Sequence, residues 1–269
     1  MGKFDGVLLV SDFDDTFLGS DRTVPARNYR ALEYFLSEGG YFTIATGRAH
    51  RTFAPYAHLV PLNAPAVLSN GSALYDFQKG EMVVQTFLSS SVIPDFQAVC
   101  GEFSHLALEA YNGEDIYAYR PNHVTDAHMV KVGTDYTQVD NIADIPLPWT
   151  KAILQQDWDK LSPVQPWFLE RYGEKYEAIF SNQVYLEITE KGSNKGGMVT
   201  RLAQLLNIAP EHIYCVGDNQ NDIPMLEVSA IPFAPSNCSE QVRNFGARIL
   251  SSCEDGVMGD VVDILDGIY

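Results

Sequence analysis

Two short apolar runs in this chain each stop at a cluster of acids. Val7-Leu8-Leu9-Val10 leads through Ser11 into Asp12-Phe13-Asp14-Asp15-Thr16, and Ile213-Tyr214-Cys215-Val216 leads into Gly217-Asp218-Asn219-Gln220-Asn221-Asp222. Near-continuous Val, Leu and Ile over so few residues is the pattern of a strand buried on both faces, the situation of strands in a helix-covered parallel sheet. The acids constrain what lies beyond the strand ends. Carboxylates this dense repel one another and are costly to desolvate unless a cation sits among them. Oxygen ligands of this kind suit Mg²⁺.

The segments around these runs keep the same rhythm. Residues 3–10 read as a strand, and residues 25–38 as an amphipathic helix with Pro25 in its first turn, Leu32, Phe35 and Leu36 on one face, and Gly39-Gly40 as its stop. A second strand, residues 41–45, ends at Thr46-Gly47-Arg48, and a third, Ala66-Val67-Leu68, ends at Ser69-Asn70-Gly71. Residues 195–206 form a helix with Met198, Leu202, Leu205 and Leu206 on one face. Beyond Asp222, strands at 230–234 and 248–250 alternate with helices at 239–245 and 255–265. Alternation of this sort predicts an α/β fold with a Rossmann-like parallel sheet. From 85 to 185 the texture changes to frequent Pro, Asp and aromatic residues with short alternating runs such as Ile116-Tyr117-Ala118-Tyr119. The expected organisation is a core of residues 1–84 and 186–269, carrying an α+β insert at 85–185 whose own core holds Trp149, Trp158 and Trp167.

A net charge of −17 argues against nucleic acid or an anionic membrane as partner, since phosphate backbones are bound through basic patches and none is evident. A small anionic substrate remains compatible, held by a local metal and a few cations. Cys100, Cys215, Cys238 and Cys253 show no Cys-x-x-Cys spacing and read as reduced, buried thiols. No run is long enough to span a bilayer, and a cytoplasmic location is expected. The six histidines lack metal-ligand spacing.

In an open parallel sheet, ligands bind beyond the carboxyl ends of the strands. Asp12, Thr46, Ser69-Asn70 and Asp218 all stand at such ends and should meet on one edge. An Asp nucleophile can move a phosphoryl group if Mg²⁺ shields the repulsion between carboxylate and phosphate, and if cations and donors receive the equatorial oxygens. Asp12 is the candidate nucleophile. Asp14, two residues on in an extended segment, shares its face and suits proton transfer to the leaving oxygen and from the attacking water. Asp218 and Asp222 would hold the metal, with Asn221 adding a neutral oxygen or donor. Thr46, Gly47, Arg48 and Lys195 make up the remaining phosphate-binding set, Arg48 offering a bidentate fork.

The ordered set Asp12-x-Asp14-x-Thr16, Thr46-Gly47-Arg48, Lys195 and Gly217-Asp218-x-x-Asn221-Asp222 resembles the haloacid dehalogenase (HAD) superfamily of phosphohydrolases. Asn70-Gly71-Ser72-Ala73-Leu74-Tyr75, Leu186-Glu187-Ile188 and Cys253-Glu254-Asp255-Gly256-Val257 are similar to its Cof-type branch, which carries a large C2-type cap between the second and third motifs. The resemblance implies that Asp12 forms a phospho-aspartyl intermediate and that the Asp12 side chain, the Asp14 backbone carbonyl and Asp218 ligate Mg²⁺. It also implies that Asp14 is the general acid/base, that Asp222 and Asn221 support the metal or its waters, and that Thr46 and Lys195 stabilise the transferring group. Asp15 departs from the pattern, standing where many relatives have Gly.

The resulting expectation is a Mg²⁺-dependent phosphomonoester hydrolase acting on a small phosphorylated metabolite, with a sugar phosphate the commonest kind among such proteins. A sugar phosphomutase and a non-enzymatic phospho-acceptor or metabolite sensor are the alternatives. Asp14 speaks against the sensor, because a proton-transfer group beside the nucleophile serves fast hydrolysis. The acid-rich insert is expected to disfavour highly anionic substrates. The sequence leaves the oligomeric state open.

Overall fold

The computed structural model describes residues 2–269. Its central sheet is five parallel strands in the order Arg248–Ile249, Pro232–Ala234, Ile213–Val216, Leu8–Ser11, Tyr41–Ile44. The two acid-terminated runs are neighbours in register, Ser11 opposite Val216. Both sheet faces are covered. Helices Ala26–Ser37 and Val257–Asp266 bury Leu32, Phe35, Val261 and Leu265 on one side, and helix Lys195–Leu205 buries Met198, Val199 and Leu202 on the other. That double cover is the burial the apolar runs demand.

Two strand expectations need adjusting. The first strand starts at Leu8, not at residue 3, because Gly6 adopts φ +81° and turns the chain, although Phe4 still reaches the core. The strand Ala66–Leu68 touches the parallel sheet through a single bridge, Ala45 to Val67, and otherwise pairs antiparallel with Ala73–Asp76, which pairs with Glu81–Gln85.

The inserted region builds a six-stranded sheet in the order Tyr176–Phe180, Tyr185–Glu190, Lys151–Gln155, Ala107–Asn112, Asp115–Tyr119, Thr137–Val139. All pairings are antiparallel except the last. The expected division at 185/186 therefore cuts the wrong place: Tyr185–Glu190 is a strand of this second sheet, and Leu186-Glu187-Ile188 belongs to it and not to the core. One sheet face packs Leu108, Leu154, Leu186 and Ile188 against helices Val92–Glu102 and Val164–Tyr172. Its other face carries Glu109, Tyr111, Lys151, Gln155, Tyr185 and Glu187, by the period of two that a strand imposes. Of the three tryptophans expected in that core, Trp149 is fully buried, whereas Trp158 lies 43% exposed beside Phe180. Chain exit and return lie side by side, with the Ser193 hydroxyl donating to the Thr86 hydroxyl at 3.0 Å.

Candidate active site

The strand ends meet as the sheet topology requires. Asp12 follows Ser11, and its N–H donates to the Val216 carbonyl at 2.8 Å, which locks it beside Gly217-Asp218. Phe13 turns into the core against Phe53 and Tyr56, leaving Asp12 and Asp14 to the cleft. The Thr46 and Asn70 loops are stapled by backbone bonds, Asn70 N–H to the Thr46 carbonyl and Ser69 N–H to the Arg48 carbonyl. After the Ile213–Val216 strand the chain turns so tightly that a β-carbon on Gly217 would lie 2.4 Å from Cβ of Asp222.

Three carboxylates, Asp12, Asp218 and Asp222, bring oxygens within 4.8 Å of one another. One ammonium lies among them: Lys195, fully buried at the start of its helix, donates to Asp12 Oδ1 at 2.6 Å and Asp222 Oδ1 at 2.5 Å. Asp222 is fully engaged, since its Oδ2 also accepts the N–H groups of Asp218 and Asn219. Asp218 Oδ1 accepts from the Thr16 hydroxyl at 3.1 Å. Burial first, then the charge of Asp222, pushes the Asp12 carboxyl up to about 7, with Lys195 opposing. Burial, followed by Asp12 and Asp222, raises Asp218 well above the usual range. Burial lowers Lys195, but Asp12 and Asp222 outweigh it and its pKa rises. Three acids against one base is a charge deficit that a divalent cation fits, and the oxygen-only donor set is of the type Mg²⁺ takes. Of the residues assigned to the metal, Asp12, Asp218 and Asp222 supply the three clustered carboxylates, while Asp14, assigned through its backbone carbonyl, turns its carboxylate to Arg48.

Asp14 is gripped by Arg48, whose Nε and Nη2 donate to its two oxygens at 2.8 and 2.7 Å. The guanidinium stacks on Tyr56, and its Nη1 donates to the Thr52 carbonyl. Arg48, expected to take a substrate phosphate, here has its Nε–Nη2 fork on Asp14. Thr46 lines the cleft with its Oγ1 accepting the Arg48 N–H at 3.2 Å, and Gly47 lines it beside Asn70. Asn221 Nδ2 donates to Asn70 Oδ1, and Asn70 Nδ2 is buried without a partner. Asp15 has φ +59°, a left-handed conformation that Gly takes freely and Asp tolerates better than most, which explains its place in a position of that kind. Burial and Asp14 raise its pKa, with Lys131 from the insert opposing across the cleft. The C-terminal Cys253-Glu254 segment braces this loop, Glu254 accepting from Ser20 and Cys253 N–H donating to Asn237, whose amide reaches the Asp15 carbonyl.

The match to known proteins is extensive. Residues 9–260 fit the family described as haloacid dehalogenase-like hydrolase. The chain belongs to that family. A 5-amino-6-(5-phospho-D-ribitylamino)uracil phosphatase of Bacillus subtilis is 26% identical, over 96% of this chain and 98% of that protein. A pyridoxal phosphate phosphatase of Escherichia coli is 24% identical, over 88% of this chain and 90% of its own length. A sugar phosphatase of HAD subclass IIB superposes with a TM-score of 0.82 at 17% identity, covering 98% of this chain and 100% of that one. A capped, Cof-type HAD fold and a phosphatase activity, both expected from the sequence, are borne out. All four HAD cysteines are buried and unpaired, and no described helix is long and apolar enough to cross a membrane.

Sequence reasoning missed the roof of the cleft, where Tyr111, His128, Lys131, Lys151, Tyr185 and Glu187 of the cap face the acids. The signal was present as alternation: Glu109 and Tyr111, Lys151 and Gln155, Tyr185 and Glu187 each sit two or four apart in otherwise apolar strands. Lys151 donates to Glu187 at 3.0 Å and to the Gly47 carbonyl at 3.2 Å, tying cap to core.

Proposed function

We propose that this HAD phosphatase is a Mg²⁺-dependent phosphomonoester hydrolase that works through a phospho-aspartate on Asp12, with a small phosphorylated metabolite, a sugar phosphate foremost, as substrate. The observation that carries the reading is the cluster of Asp12, Asp218 and Asp222 with a single ammonium among them at the floor of a capped cleft. The relatives named for a ribitylamino-uracil phosphate and for pyridoxal phosphate support a small-metabolite substrate, and the subclass IIB neighbour supports a sugar phosphate. Bound Mg²⁺ would lie against Asp12 and Asp218 and supply charge to offset the approach of a phosphate dianion.

The chain's own groups then divide the work. The Asp12 oxygen not held by Lys195 attacks phosphorus; a new O–P bond forms as the ester O–P bond breaks, and Asp14 gives its proton to the leaving oxygen. Water next attacks the phosphorus, loses its proton to Asp14, and releases inorganic phosphate and free Asp12. Lys195 and Thr46 would receive phosphoryl oxygens, with Asn221 beside Thr46 in the lining of the cleft. Asp14 has to leave the Arg48 fork to reach the leaving oxygen.

A screen of phosphorylated metabolites for phosphate release with Mg²⁺ tests this. Asp12→Asn is expected to cut turnover on the order of 10⁴-fold or more while the far-ultraviolet dichroism is unchanged. Turnover retained in that variant removes the covalent mechanism, and transfer of the phosphoryl group back to a sugar in place of phosphate release makes the protein a mutase.

A further inference from the structure

The acid-rich composition of the insert predicts that highly anionic substrates are disfavoured. The acids that face the cleft from the cap are, however, already occupied. Glu187 takes the Lys151 ammonium and the Ser181 hydroxyl, each at 3.0 Å. Glu109, with no exposed surface, takes the Tyr111 hydroxyl at 3.0 Å, the Gln155 amide at 2.6 Å and His128 Nδ1 at 2.9 Å. No Lys or Arg among the described residues pairs with Glu109, so His128 is its basic partner. The carboxylate fixes Nδ1 as a protonated nitrogen, and the ring, packed at a tilt of 43° against Tyr185 with centroids 4.7 Å apart, leaves Nε2 for the cleft it lines. In the ion-paired form Nε2 carries a hydrogen as well.

Other unengaged donors lie beside it. Lys131, one helical turn on and on the same face, is exposed, lines the cleft, and is in no ion pair among the described residues. Asn182 spends its carbonyl oxygen on the N–H groups of Val184 and Tyr185, which leaves its amide N–H₂ for the cleft. The roof thus presents donors and positive charge, while its carboxylates are turned to internal partners.

We infer that this roof, built on the Glu109–His128 pair with Lys131 beside it, is a subsite for the leaving group that selects phosphomonoesters carrying a carboxylate or carbonyl oxygen over those carrying hydroxyls or nothing in its place. The inference rests on the phosphatase reading for its biological use, but the binding it claims is separable from turnover. Hydrogen bonds to a charged group contribute about 1.5–3 kcal/mol where the partner is desolvated, roughly tenfold or more in affinity.

Titration calorimetry with Mg²⁺ present compares phenylphosphonate with its 3- and 4-carboxylated forms. One carboxylated probe is expected to bind at least about tenfold more tightly, and His128→Gln and Lys131→Ala are each expected to shrink that ratio at least about threefold. Lys131 is exposed, so its variant keeps the test valid if the His128 variant fails to fold. Equal affinities, or a preference that survives both substitutions, overturns the subsite. Hydrolysis of phenyl phosphate, followed in parallel, tests the phosphatase reading alone: no hydrolysis together with a His128-dependent preference leaves the subsite standing and removes that reading.

Discussion

In the floor of the cleft Asp12, Asp218 and Asp222 have one ammonium among them, Lys195, which bonds only Asp12 and Asp222, whereas in the roof Glu109 is met by three donors and Glu187 by Lys151 and Ser181. Both surfaces bury carboxylates, and desolvation opposes both. The roof offsets it internally and is complete as a protein structure; the floor is not, and it holds its negative charge for something that arrives from outside. Buried acids therefore mark a reacting centre only when their partners have been counted.

The contrast breaks most visibly at Lys195. Replacing it by Met leaves Asp12 and Asp222 buried without a counter-charge, and denaturant unfolding of the metal-free protein is expected to show a loss of about 3–5 kcal/mol. Asp12→Asn in that background should restore part of it; no loss in the single variant means the floor is not short of positive charge. Metal comes next. Because the Asp12 carboxyl lies above its ordinary 3.8, at about 7, its protonated form is favoured by folding, so its contribution is full below 3.8 and is lost as pH rises through about 7. In chelator, the thermal midpoint should accordingly fall across that window and Asp12→Asn should flatten the fall. Mg²⁺ at a hundredfold its Kd should add about 2.7 kcal/mol to stability. A midpoint indifferent to Mg²⁺ at neutral pH counts against the metal site. The smallest effect belongs to the roof: Tyr111→Phe removes one of three donors to Glu109 and is expected to cost about 1.5 kcal/mol, with no rescue by Mg²⁺. A loss as large as that of the Lys195 variant, or one that Mg²⁺ reverses, erases the distinction between the two surfaces.

The same contrast explains what could be read before any coordinates. Each floor residue directly follows an apolar strand or opens a helix, so strand ends in a parallel sheet bring Asp12, Thr46 and Asp218 together wherever the rest of the chain goes. The roof has no such rule. Glu109 and His128 come from a strand and a helix that approach only through packing of the insert, and alternation alone shows that Tyr111 and Lys151 share a face without showing that this face meets the core. Arg48 illustrates a different limit: a guanidinium just past a strand end has several acceptors in reach, and its bonds to both oxygens of Asp14 are not announced by the sequence. The boundary near residue 185 failed because it followed the resemblance of Leu186-Glu187-Ile188 to the Cof-type branch, whereas strand pairing puts Tyr185–Glu190 in the second sheet. Asp15 needed its φ of +59° before its tolerance in a glycine-like position made sense.

The hydrogen bond between Ser193 and Thr86 sets the two ends of the insert next to each other at the neck. For the host this is a short closed bridge, since the ends are already in contact whatever hangs between them, and loop-closure entropy grows only slowly with the length inserted. A cassette joined in this way can be lengthened, trimmed or exchanged with little effect on the folding of the sheet beneath. Selection on what the cleft accepts is thereby uncoupled from selection on how it reacts, and a graft of another cap at residues 86 and 193 is the natural place to exploit that separation.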